Sequence, residues 1–273
     1  MPRHALQRHQ VRVGGSGRRT LVFAHGFGCD QAMWRFVAPA FESGHRVVLY
    51  DHAGCGGADP VPPGDQRHLT LDGYAQDLLD ILDELALDEV VFVGHSIGGV
   101  IGLLASIQAP ARFARLVLVG PSPRFLDEPP DYVGGFQPED LDGLFELMES
   151  NHFGWARFLA PLAMGEANPA ALTRDFEDQL CALDPEATRR FARLVFQVDV
   201  RDRLPQVTVP SLIIQCTHDS IAPRAVGAYL HRHLAGSRLV ELEASGHCPH
   251  VSHPAEVIAA LQDELQRLDA ADA

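Results

Sequence analysis

Ser96 stands in Gly94-His95-Ser96-Ile97-Gly98, a G-x-S-x-G pentapeptide, with an apolar run at 90–93 before it and a helical pattern at 99–106 after it. Strand, sharp turn, helix is the setting that lifts a serine hydroxyl clear of the backbone as a nucleophile. The glycines two residues to either side suit a tight turn, where a Cβ would meet the neighbouring strand or helix. The start of the following helix favours negative charge beside the hydroxyl. A serine nucleophile needs a base, and the base needs an orienting acid. Asp219 lies just past the apolar run 209–215, and His247 lies in the loop Ala244-Ser245-Gly246-His247 after the run 238–242. In this order His247 takes the proton of Ser96, and Asp219 holds the imidazole tautomer and stabilises the imidazolium. Asp199 and Asp202 are rival acids, but they precede the 211–215 strand rather than follow it.

Charge developing on an attacked carbonyl needs donors. The run 21–24 ends in His25-Gly26-Phe27-Gly28, a loop type that carries one oxyanion N–H, while the residue after the nucleophile carries the other. The expected donors are the backbone amides of Phe27 and Ile97, a pair worth a few kcal/mol in such reactions. The cluster His247-Cys248-Pro249-His250-Val251-Ser252-His253 has metal-like composition, but His247 is already assigned and no second ligand pair has zinc-site spacing. No metal is expected. Cys248 lacks an elbow and is not a second nucleophile. The Gly-rich stretch from Asp51 to Asp59 has neither phosphate-loop nor dinucleotide spacing.

The elements that must position these residues alternate. Strands are expected near 11–13, 21–24, 46–50, 90–93, 116–119, 211–215 and 239–242, and helices near 31–41, 71–85, 97–109, 222–234 and 255–268. The strands are continuous apolar runs, as expected where helices cover both faces of a sheet. The fold class is therefore α/β: a doubly wound, mostly parallel sheet. Residues 121–205 break the alternation with helical stripes, among them Leu141, Leu144, Phe145 and Met148. They are expected to form a helical cap inserted over the site, with 1–120 and 206–273 as the core. Phe27, His95, Phe136, Trp155, Phe158, Leu159 and Phe196 are the expected lining of an apolar pocket beneath it.

A chain of 273 residues, 46% of them hydrophobic, is enough for one core with an insertion. The net charge of −14, from 22 basic and 36 acidic residues, argues against nucleic acid or an anionic membrane surface as partner. Residues 1–10 are basic without the apolar core of a leader, and no run approaches the roughly 20 apolar residues of a span. Five scattered cysteines (Cys29, Cys55, Cys181, Cys216, Cys248) suit a reducing cytoplasm.

Several stretches resemble one family. They are His25-Gly26-Phe27-Gly28-Cys29-Asp30-Gln31, Thr70-Leu71-Asp72-Gly73-Tyr74, Gly94-His95-Ser96 and Gly120-Pro121-Ser122-Pro123-Arg124-Phe125. Further on are Gly134-Gly135-Phe136, Thr208-Val209-Pro210-Ser211-Leu212 and Gly246-His247-Cys248-Pro249-His250. Together they resemble the small α/β-hydrolases that include the bacterial stress-response regulator RsbQ and the plant strigolactone and karrikin receptors. The likeness looks nearest to the RsbQ type, through 131–136 and 246–254. It implies a Ser-His-Asp site on Ser96, His247 and Asp219, a small buried apolar pocket under a V-shaped four-helix cap, and slow hydrolysis tied to signalling. The RsbQ-type role implies a partner such as a PAS-domain phosphatase. Leu159 departs from the plant receptors, which resemble one another in having Phe there.

The expected activity is cofactor-free hydrolysis of a small apolar ester, lactone or related carbonyl compound. The alternative is a small-ligand receptor or regulator acting through a protein partner. Carbon–carbon bond hydrolysis is a third option. Serine at the elbow argues against dehalogenase and epoxide-hydrolase chemistry, which use a carboxylate there.

Overall fold

The computed structural model describes residues 4–271; residues 1–3 and 272–273 of the expected core lie outside the described residues. Seven strands form one sheet: β1 (Arg12–Gly14), β2 (Thr20–Ala24), β3 (Arg46–Tyr50), β4 (Val90–His95), β5 (Phe113–Val119), β6 (Ser211–His218) and β7 (Ser237–Ser245). Their spatial order is β1-β3-β2-β4-β5-β6-β7. Only β1 pairs antiparallel, against β3 at the sheet edge; the other pairs are parallel. Parallel strands need crossovers; helices supply those after β3, and further helices precede β1 and follow β7. In chain order these are α1 (Ala5–Arg8), α2 (Leu71–Glu84), α3 (Ile97–Gln108), α4 (Pro138–Ser150), α5 (His152–Met164), α6 (Ala170–Cys181), α7 (Pro185–Phe196), α8 (Arg224–His233), α9 (Pro249–Ser252) and α10 (Pro254–Ala271).

The central strands are apolar throughout because both faces are covered. Alternate side chains point to opposite sides of a strand. Val22, Ala24, Phe92 and Leu118 therefore join one core with α2 and α3. Leu21, Phe23, Val91 and Val93 join another with Trp34, Phe41, Val257 and Leu261. Gly102 lets α3 press on the sheet, since a Cβ there would lie 1.9 Å from the Phe92 ring.

Between β5 and β6 the chain leaves the sheet and builds α4 to α7. Their starts are specified locally. The Asn151 side chain accepts from the Gly154 amide, and Asp184 accepts from Ala187. The helix α6 answers to no stretch singled out from the sequence; its stripe is Leu172, Phe176 and Leu180. The helix expected over 31–41 is instead two 3-10 turns, Gln31–Trp34 and Ala38–Phe41. The Asp30 carboxylate caps the first turn through the Ala32 amide, but Pro39 has no N–H to continue a helical ladder beyond it. No helix among the described residues is long and apolar enough to cross a membrane.

Candidate active site

Ser96 occupies the turn between β4 and α3 with φ 53° and ψ −123°. This is left-handed backbone that costs a non-glycine residue of order 1–3 kcal/mol. The turn closes because its flanking glycines allow close approach. A Cβ at Gly94 would lie 2.6 Å from the Gly99 Cα, and one at Gly98 would lie 2.3 Å from the His25 carbonyl oxygen. The Ser96 amide also donates to the Val119 carbonyl at 2.8 Å.

The loops after β6 and β7 bring the other two expected residues to it. Ser96 Oγ and His247 Nε2 are 2.8 Å apart, as are His247 Nδ1 and Asp219 Oδ2. Asp219 Oδ1 accepts from the amides of Ile221 and Ala222, at 2.8 and 3.0 Å. With its partner a carboxylate oxygen, Nδ1 carries the imidazole proton, and Nε2 is left to accept from the serine. All three residues are buried. His247 is fixed through its backbone as well. Its amide donates to the Ala163 carbonyl of α5 at 2.6 Å, and His95 Nε2 donates to its carbonyl at 2.9 Å. Of the rival acids, Asp199 pairs with Arg124 and Arg201 instead, and Asp202 lines a wider cleft that contains none of Ser96, Asp219 and His247.

The amides of Phe27 and Ile97 find no acceptor among the described residues. Ile97 opens α3, so its N–H is one of those a helix leaves free. Phe27 lies in the loop after β2, and that loop rests on the elbow: a Cβ at Gly26 would lie 2.5 Å from His95 Nδ1 and 3.2 Å from the Ser96 Cβ. The loop that carries Phe27 thus lies against the elbow, and Ile97 directly follows Ser96.

A cavity opens onto Ser96 and His247, lined by Phe27, Cys29, His95, Phe125, Leu159, Ala163, Phe176, Val195, Phe196, Ile221 and Cys248. Its free volume is about 30 Å³. The lining holds no Lys, Arg, Asp or Glu. Burial pushes the Cys29 and Cys248 thiols up and the His95 imidazole down, so all three stay neutral.

Of the expected lining residues, Phe27, His95, Leu159 and Phe196 face this cavity; three do not. Phe158 is 52% exposed. The buried positions of α5 are 155, 156, 159, 160, 163 and 164. At 100° per residue they centre on the side of the helix opposite Phe158. Trp155 is fully buried one layer back, edge-on to Phe27 with centroids 6.0 Å apart. Phe136 is half-buried and packs on Phe125 and Phe196. The lining also includes residues that sequence reasoning missed. Phe176 was findable from its four-residue spacing with Leu172 and Leu180, and Cys248 from its place beside His247.

The histidines of the 247–253 run diverge. His250 lies between Trp34 and His95, at centroid distances of 4.5 and 4.3 Å, and His253 pairs with Ser252. Among the described residues no three side chains converge as a metal site. A wider cleft of about 690 Å³ opens between residues 61–72 and α7, but it contains none of Ser96, Asp219 and His247.

A serine, an imidazole and a carboxylate hydrogen-bonded in a row beside a neutral cavity are groups that can perform acyl transfer. Comparisons with known proteins agree with that chemistry. A model of the alpha/beta hydrolase family matches residues 21–260. A protein named as a probable esterase, from Oryza sativa subsp. japonica, is 44% identical over 260 residues, covering 94% of this chain and 96% of that one. The Karrikin insensitive 2 receptor CA of Petunia hybrida is 40% identical over 254 residues, covering 93% and 94%. The solved structure of a hydrolase from Oleispira antarctica superposes with a TM-score of 0.93 at 37% identity, covering 96% of both chains. With its sheet order, its elbow and these relatives, the chain belongs to the α/β-hydrolase family.

Proposed function

We propose that this enzyme hydrolyses small, neutral, apolar esters or lactones through Ser96, with no cofactor. The single observation that supports the reading is the hydrogen-bonded row Ser96–His247–Asp219 opening onto a cavity of about 30 Å³ with no charged lining residue. Ser96 Oγ attacks the carbonyl carbon while its proton passes to His247 Nε2. Asp219 stabilises the imidazolium, and the Phe27 and Ile97 amides hold the oxyanion. His247 then protonates the leaving oxygen, and a water activated by the same imidazole hydrolyses the acyl-enzyme. A buried substrate charge would find no partner and would be expelled. With about 30 Å³ free, any ester requires the side chains of α5 to α7 to yield, and a long acyl chain requires the largest displacement.

The test is kcat/KM across p-nitrophenyl esters from acetate to decanoate, with a hemisuccinate as the charged member. An optimum at two to four carbons, with the hemisuccinate poor, is expected. An optimum at ten carbons or at the hemisuccinate would overturn the small neutral pocket.

The 40% identity to a protein named a receptor favours a second reading, in which occupancy of the same cavity is the output. A nearer kinship to the RsbQ type rests on residues 131–136 and 246–254, and would add a protein partner such as a PAS-domain phosphatase. A ligand that raises Tm without turnover supports this reading. Multiple turnover of every ligand that raises Tm counts against it.

A further inference from the structure

The Gly-rich stretch that begins at Asp51 has no part in the chemistry above, yet its second residue reaches the loop that carries Phe27. His25 is fully buried at the end of β2. Its Nδ1 lies 2.8 Å from the carbonyl oxygen of Gly26. Its Nε2 accepts from the backbone amide of His52 at 3.0 Å. A nitrogen that accepts carries no proton in the neutral ring, so the proton is on Nδ1 and is donated to Gly26. In return, His52 Nε2 donates to the His25 carbonyl at 2.9 Å, and the two rings meet at a tilt of 57° with centroids 4.4 Å apart. That same carbonyl lies against Gly98 in the first turn of α3.

The Gly26–Phe27 peptide bond is trans. In a planar trans peptide the C=O and the following N–H point in opposite directions. Holding the Gly26 carbonyl on the His25 side therefore turns the Phe27 N–H to the other side. We infer that His25 is the positioning residue for the oxyanion amide of Phe27, and that the His52 amide sets the His25 tautomer that makes it so. Without the Nδ1 donor, the Gly26 carbonyl loses its side-chain anchor and the 26–27 peptide can turn. The donor then leaves the site while Ser96, His247 and Asp219 keep their places. The inference rests on the hydrolase reading, because only an oxyanion needs that amide.

The experiment compares His25→Phe, which keeps a ring but has no donor, with His25→Asn, whose amide nitrogen can replace Nδ1. Ser96→Ala is the control. Readouts are kcat and KM on p-nitrophenyl acetate, the inhibition constant of phenylboronic acid, which becomes tetrahedral and anionic on the serine oxygen, and the pH profile. His25→Phe is expected to lower kcat about 100-fold, the lower range for losing one oxyanion donor, with KM within threefold. Boronate binding should weaken by a similar factor, and the pH midpoint should not move. His25→Asn should recover at least tenfold. A folded His25→Phe with kcat within threefold of wild type overturns the inference, as does a lost kcat with boronate binding intact or with no recovery in His25→Asn. Turnover that survives Ser96→Ala overturns the hydrolase reading instead. If His25→Phe does not fold, nitrogen-15 spectra of the wild-type imidazoles decide. Nδ1–H on His25 and Nε2–H on His52 support the arrangement, and Nε2–H on His25 contradicts it.

Discussion

On the sheet side of the cavity, Ser96, Asp219, His247 and Phe27 sit on four loops pinned by hydrogen bonds and by glycines that tolerate no Cβ. On the cap side, Leu159, Ala163, Phe176, Val195 and Phe196 meet the same cavity through carbon. Hydrogen bonds are directional and fail when geometry slips, whereas apolar packing has no direction and accepts exchange of similar volumes. On the proposed function, the sheet side specifies the reaction, and the cap side specifies which molecules reach it. The two meet where α5 touches the histidine loop: the Ala163 carbonyl takes the His247 amide, and Asn168 bridges the carbonyls of Met164 and Ser245.

The sharpest break should come on the sheet side. Asp219→Asn is expected to lower kcat about 10⁴-fold while the chain stays folded, because the amide holds the wrong imidazole tautomer. Asp199→Asn, which disturbs ion pairs with Arg124 and Arg201, should leave kcat within a few-fold. Steady-state kinetics on p-nitrophenyl acetate check both, and a crippling Asp199→Asn would reverse the assignment of the acid.

The cap side should break in stability rather than in rate. Trp155→Ala removes a fully buried side chain that backs Phe27 and should cost about 3–5 kcal/mol in urea unfolding. Its kcat at a temperature where it is folded should fall far less than that of Asp219→Asn. A destabilisation under about 1 kcal/mol, well below the cost of emptying a buried aromatic site, would mean that Trp155 is not packed as described.

Acid should act on the layer beneath the triad. Burial, then the neighbouring His247 and Arg35, push the His250 imidazole down from its ordinary 6.5 to about 3. The unfolded chain then takes up the proton more readily than the folded one. Stability from this group is full above pH 6.5 and falls as pH drops toward 3, by about 1.4 kcal/mol per unit. His25, His52 and His95 are depressed by burial too and add the same sign. Tm measured from pH 7.5 to 4.5 should fall less steeply in His250→Phe than in wild type. Equal slopes would remove His250 as a contributor. The smallest effect belongs to Phe158→Ser: at an exposed position, a change within about 0.5 kcal/mol is expected by the same unfolding measurement.

What the sequence made legible follows the same division. An apolar run, a G-x-S-x-G turn and a helix in succession mark β4, the elbow and α3, because local sterics allow little else there. The strand ends that carry Asp219 and His247 are marked by runs of the same kind. Residues 31–41 misled because Trp34, Val37 and Phe41 have helical spacing, while Pro39 has no N–H to carry a helical ladder through the segment. On the cap, a stripe shows that a helix has an inner face, yet Phe158 and Leu159 are adjacent, and only packing decides which one faces in. The His25–His52 contact joins residues 27 apart in sequence, and no local pattern carries it.

Covalent labelling tests the central claim most directly. Wild-type protein treated with a fluorophosphonate probe should gain one adduct, mapped to Ser96 by peptide mass. Ser96→Ala should keep its fold, show no adduct and lose hydrolysis of p-nitrophenyl acetate. Labelling or turnover that persists unchanged in Ser96→Ala would contradict Ser96 as the nucleophile.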